Sequence, residues 1–133
     1  TLHQYAQDPV KLREALSPPD GAAIRPYDAE HEAPYQGQPV ILAEFGGTWW
    51  RPGSGATTDR NASWGYGEAP KSEAEFYARL QSLVETVLSL PRLRGYCYTQ
   101  LTDVEQEQNG IDTCDRKPKF DMTRLAAIFR RAR

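Results

Sequence analysis

The chain has 133 residues, the length of one ordinary domain with a single core. Its 16 Lys and Arg stand against 18 Asp and Glu, a net charge of −2, which argues against nucleic acid or an anionic membrane surface as partner, since both reward a concentrated positive field. Hydrophobic residues at 39% and aromatics at 11% are too many for a disordered tail, and the apolar run Val40-Ile41-Leu42-Ala43 is far short of the roughly 20 residues that span a bilayer.

Asp8-Pro9 reads as a helix start, with Asp8 as the cap and Pro9 in the first helical position. Val10, Leu12 and Leu16 are expected to share a face of that helix, which ends near Ser17. From Ser17 to Pro39 the chain holds five of its 10 prolines and reads as a long surface loop. Pro39 to Phe45 is a short continuous apolar run of the kind found in strands buried on both faces of a parallel sheet. Residues 46–67 carry all 3 tryptophans and six of the 10 glycines, too many glycines for a helix and too many aromatics for an idle linker.

Ser72 to Leu90 is the strongest helix. Ser72-Glu73-Ala74-Glu75 forms a capping box, and Phe76, Leu80, Leu83, Val84, Val87 and Leu88 fall on one stripe. Pro91 ends it. A second strand follows over Gly95–Leu101, then an acidic polar loop from Thr102 to Lys119 with Asn109-Gly110 as a turn signal. Asp121 caps a last helix that turns Leu125, Ile128 and Phe129 inward. Strand, helix and strand over 39–101 make one βαβ unit, so the two strands should run parallel. No third strand is evident, and two parallel strands do not make a sheet. A piece of a larger α/β domain is therefore expected, as is self-association through open sheet edges. The start at Thr1 without an initiator Met agrees with that expectation.

Glu44 is the residue to explain. It closes an apolar strand and is followed by Phe45-Gly46-Gly47, at the end of a parallel strand where α/β proteins place their active sites. A carboxylate there is paired, hydrogen-bonded or functional. The structural alternative is a Glu that caps a loop or pairs with an arginine.

Three stretches carry a resemblance. Pro39-Val-Ile-Leu-Ala-Glu-Phe-Gly-Gly47, Gly95-Tyr-Cys-Tyr-Thr-Gln-Leu-Thr-Asp-Val-Glu-Gln-Glu-Gln-Asn-Gly110 and Arg116-Lys-Pro-Lys119 together resemble glycoside hydrolase family 2, the family of β-galactosidases, β-glucuronidases and β-mannosidases. The resemblance implies an α/β fold, a partial (β/α)8 TIM barrel running from about the end of strand six through the last helix. Residues 1–133 would then be the C-terminal portion of a glycoside hydrolase catalytic barrel. It implies that Glu44 is the nucleophile of a retaining O-glycosyl hydrolase and attacks the anomeric carbon to form a covalent glycosyl-enzyme. Tyr98 falls where many members floor the sugar site with Trp. His3 and Tyr5 fall near the nucleophile, where the Tyr5 hydroxyl would orient Glu44 and favour its ionised form. Trp49, Trp50 and Trp64 would wall the subsites, or else pack the loop onto the rim. A carbohydrate substrate and the rest of the parent barrel are the partners this implies; no cofactor is expected.

Retaining hydrolysis also needs a second carboxyl about 5–5.5 Å from the nucleophile. The family places it upstream of the residues matched here. Asp103, Glu105 and Glu107 read as a solvated acidic face, so the chain alone is expected to be inactive. The competing reading is a non-catalytic carbohydrate-binding or interaction module in which Trp49, Trp50, Trp64, Tyr96 and Tyr98 stack on sugars.

Other signals carry less. Cys97 and Cys114 are too few for a disulfide scaffold and fit no zinc spacing, and Cys97 reads as a small buried hydrophobe in a strand. Residues 103–114 fail as a calcium loop, with Gln108 where Gly is needed and Cys114 where Glu is needed. His3 and His31 lack metal spacing, so no metal is expected. Gly53-Ser54-Gly55 is not a nucleophile elbow, and Asn61-Ala62-Ser63 is a sequon that matters only in a secreted protein. Arg130, Arg131 and Arg133 suit a helix C-terminus. No charged-then-apolar leader opens the chain, so a signal peptide is either absent or already removed; the cytoplasm is favoured over secretion as an expectation.

Overall fold

The computed structural model describes residues 1–18, 24, 31, 35–51 and 63–130. Most of the predicted 17–39 loop, the Gly53–Gly55 stretch, Asn61 and Ala62 of the sequon, Arg131 and Arg133 lie outside the described residues. Six elements follow in chain order: β1 (Leu2–Gln4), α1 (Pro9–Leu16), β2 (Val40–Gly46), α2 (Glu73–Leu88), β3 (Leu93–Thr99) and α3 (Met122–Phe129). No helix among them is long and apolar enough to cross a membrane.

The helix starts are where the capping residues put them. Asp8 accepts from the backbone N–H groups of Val10 and Lys11 at 2.8 and 3.0 Å, and Asp121 does the same for Thr123 and Arg124 at 2.8 and 3.2 Å. Ser72 accepts from the Glu75 N–H at 3.2 Å. The Glu75 carboxylate returns to the Lys71 N–H at 2.9 Å rather than to that of the cap residue itself. In α1, Leu12 and Leu16 are buried four residues apart, whereas Val10 is exposed. A residue two places from Leu12 sits on the far side of the helix, so it could not join the predicted face.

The sheet is all-parallel in the order β1-β2-β3. The predicted βαβ unit is present, and β1 adds the strand the sequence reading lacked. With only three residues, two of them His3 and Gln4, it is too short and polar to show a period. Leu12 and Leu16 of α1, Leu42 and Phe45 of β2, Phe76 to Val87 of α2, Leu93, Phe120, and Leu125 and Ile128 of α3 form one core. The three helices therefore cover a single face of the sheet. On the other face Ile41 is 42% exposed and Cys97 is exposed, so β2 is not buried on both sides and Cys97 is not a core residue.

The expected section of a (β/α)8 barrel is not what the chain forms. The described residues make a small open three-stranded parallel sheet with three helices, far too small for the run from strand six to the last helix of a barrel. An apolar strand, a carboxylate at its end and a capped helix specify a βαβ unit. Closure depends on strand number, tilt and stagger, which those local signals do not encode.

One irregularity in β2 decides where Glu44 points. Leu42 pairs with Leu2 on one side and Tyr96 on the other, while Phe45 pairs with Gln4 and Tyr98. Between these two levels β2 carries one residue more than either neighbour, a β-bulge. In a regular strand Leu42 and Glu44 would share a face. With the extra residue, Leu42 and Phe45 both enter the core, each fully buried, and Glu44 turns to the open face opposite His3.

Candidate functional site

Glu44 sits at the C-terminal end of the central strand with its side chain 39% exposed. The Tyr5 hydroxyl, just beyond β1, donates a hydrogen bond to Glu44 Oε2. His3 Nδ1 lies 3.7 Å from the same oxygen, on a half-exposed ring. Among the described residues Oε1 has no hydrogen-bond donor, so one carboxylate oxygen is held and the other faces outward. Burial of the phenol, and then its hydrogen bond to Glu44, raise the Tyr5 pKa well above that of an ordinary tyrosine, with Tyr66 adding to the shift. Tyr5 therefore keeps its proton and remains a donor throughout the neutral range.

Tyr66 lies flat on Tyr5, with ring centroids 3.8 Å apart and planes within 4°. Trp64 meets Tyr66 edge-on at 6.0 Å. Two glycines make room for the tyrosines. Gly47 has a φ of +64°, and a Cβ there would come within 2.4 Å of the Tyr66 ring; at Gly46, with φ +87°, it would come within 2.3 Å of the Tyr98 ring. The Gly46-Gly47 pair is thus both a backbone requirement and a steric one.

The predicted acidic loop is an ordered buttress for this wall. Trp64 N–H donates to the Gln106 carbonyl, and the Gln108 N–H donates to the Trp64 carbonyl, both at 2.7 Å; the Tyr66 N–H donates to the Gly47 carbonyl at 2.9 Å. Asp103, expected on a solvated face, is buried and pairs with Lys119 at 2.8 Å while accepting from the Gly110 N–H at 2.8 Å. Glu107 accepts from buried Asn109 at 3.0 Å. Only Glu105 is as exposed as expected.

The remaining predicted site residues divide. Tyr5 and His3 reach Glu44, and Trp64 stands at the rim through Tyr66. Trp49 is 3% exposed and donates from Nε1 to Ser63 Oγ at 2.8 Å. Ser63 Oγ in turn donates to Gln108 Oε1 at 2.8 Å, so Trp49 is a loop anchor. Trp50 tilts against Phe76 and Phe120. Tyr98 is no sugar floor: it pairs with Phe45 on the core face and meets Phe45 and Phe129 edge-on at 5.7 Å, so the sheet separates it from Glu44. Tyr66 and Gln7 escaped the sequence reading. The glycines flanking Tyr66 were a usable signal, whereas nothing marks Gln7.

The Tyr98 hydroxyl is buried without a hydrogen-bond partner. Burial raises its pKa, an effect that neighbouring Thr48 partly offsets without meeting hydrogen-bond geometry. Tyr98→Phe is expected to stabilise the fold by about 1 kcal/mol at neutral pH, because it removes an unpaired buried hydroxyl. The folded-state pKa is raised, so the protonated phenol's contribution is complete below about pH 10 and is lost as pH rises above it. The variant should therefore lose less stability than the parent in that alkaline range, as read by urea denaturation at neutral pH and above pH 10.

Among the described residues no three His, Cys, Asp or Glu side chains converge as metal ligands. Compared with protein-family models and with curated proteins, the sequence matches none.

Proposed function

We propose that Glu44 is the nucleophile of a retaining, β-galactosidase-like glycoside hydrolase site. The observation that carries the reading is the Tyr5–Glu44 hydrogen bond across β1 and β2, made at a bulge that turns the carboxylate out of the core. A carboxylate with one oxygen held and the other outward suits attack along a fixed line. Oε1 would form the bond to the anomeric carbon as the leaving-group oxygen departs with a proton from a second carboxyl, and water would later open the ester with retention. As the charge on Glu44 falls during attack, the neutral Tyr5 phenol adjusts its hydrogen bond without giving up its proton.

The second carboxyl is assigned to polypeptide upstream of β1. Asp103 and Glu107 are engaged by Lys119 and Asn109, so neither stands ready as acid and base. The 133-residue chain alone is accordingly expected to show no appreciable turnover.

The test is covalent. The full-length protein is incubated with a panel of activated 2-deoxy-2-fluoro glycosides, digested, and searched for the labelled peptide by mass spectrometry. A label on Glu44 is expected, and the reactive sugar then gives the substrate class. A label on another residue removes Glu44 from the role. Sugar binding with no label from any glycoside would favour a non-catalytic carbohydrate-binding module.

A further inference from the structure

Gln7 lies between β1 and α1, half-buried, and its carboxamide is fully used. Nε2 donates to the Tyr5 carbonyl at 3.0 Å and to the Gly46 carbonyl, while Oε1 accepts from Thr48 Oγ1 at 2.6 Å. The stem rests on Gly67, where a Cβ would come within 2.5 Å of Gln7 Cγ. These contacts reach the three segments that carry the site. Tyr5 is itself a partner, Gly46 is two residues after Glu44, and Gly67 follows Tyr66 directly. An amide is suited to this place because it offers two donors and an acceptor on one planar group. A carboxylate would set oxygen against two carbonyls, and an apolar side chain would leave all three partners unmet.

We infer that Gln7 is the positioning residue of the site, a strut that fixes the ends of β1 and β2 so that the Tyr5 hydroxyl stays on Glu44. Its functional consequence rests on the reading of Glu44 as a nucleophile; the positioning itself can be measured without turnover.

The experiment places 3-fluorotyrosine at position 5 of the full-length protein and follows its phenol by fluorine NMR during a pH titration. In the parent the phenol should titrate above free fluorotyrosine, because it is half-buried and donates to a carboxylate. In Gln7→Met, which keeps the stem and removes the amide, the titration should move back toward the free value. Labelling of Glu44 by the reactive fluoroglycoside should slow about tenfold to a hundredfold. Gln7→Glu should not restore either property. Thr48→Val, which removes one bond and leaves two, should shift the phenol the same way by less, and it carries the test if Gln7→Met does not fold. A phenol titration unchanged from the parent in the folded variants overturns the inference. If the parent is never labelled, the glycosidase reading fails, while the titration still decides whether Gln7 positions Tyr5.

Discussion

Glu44→Gln should abolish fluoroglycoside labelling and lower turnover of the full-length protein by about four orders of magnitude or more. The substitution is close to isosteric. The amide oxygen can still accept from Tyr5, and the side chain is only partly buried, so the thermal midpoint should barely move. Loss of activity without loss of stability is what separates a nucleophile from a structural residue here. An amide oxygen cannot displace the leaving group and form the glycosyl ester, so no binding energy elsewhere can compensate. Steady-state kinetics beside a melting curve give the answer. Unchanged turnover would sink the assignment, and retained sugar affinity with no turnover even in the parent would point to a binding module.

The second large effect is on stability. Lys119→Met should cost about 3–5 kcal/mol in urea denaturation, the range for stripping one partner from a buried ion pair. The Lys119 side chain is 0% exposed and that of Asp103 8% exposed. Without the ammonium, the Asp103 carboxylate keeps, among the described residues, the Gly110 N–H as its one donor. Combining Lys119→Met with Asp103→Asn should recover most of the loss, since the amide needs no counter-charge and can still accept from Gly110. Burial lowers the Lys119 pKa, although Asp103 opposes the shift. The unfolded chain therefore binds more protons between the folded pKa and the ordinary lysine value of about 10.4. This pair's contribution to stability should rise with pH across that window, and the rise should be missing in Lys119→Met. The damage would extend to the site, because Trp64 hangs from Gln106 and Gln108 in the loop that this pair closes.

What could be read in the sequence were features with local causes. The βαβ unit, the three helix caps and the stripe on α2 follow from neighbouring residues, and so does a carboxylate at the end of an apolar strand. Features set by residues far apart in the chain were hidden. Lys119 and Asp103 are 16 residues apart in a stretch whose composition reads as solvated, and only the folded loop buries them together. Trp49 and Trp64 look alike in a glycine-rich segment, but one anchors the loop through Ser63 and the other meets Tyr66 at the rim. Motif position puts Tyr98 at the sugar, yet the pairing with Phe45 turns it to the core face. The barrel failed for the same reason, since closure belongs to a whole sheet rather than to any strand of it.

The extra residue in β2 makes position 43 a matter of counting rather than chemistry. Ala43 contributes little as a side chain, and many small residues could stand there. Its removal would leave the facing pattern intact. A strand one residue shorter between Leu42 and Phe45 would match both neighbours in length, lose the bulge, and still send Leu42 and Phe45 into the core with Glu44 on the open face. What the deletion would change is the local bend and twist that the bulge gives the strand, and with them the aim of Glu44 at Tyr5. Comparing β2 with other sequences should therefore allow a one-residue gap at this place, since the shortened strand keeps both of its faces.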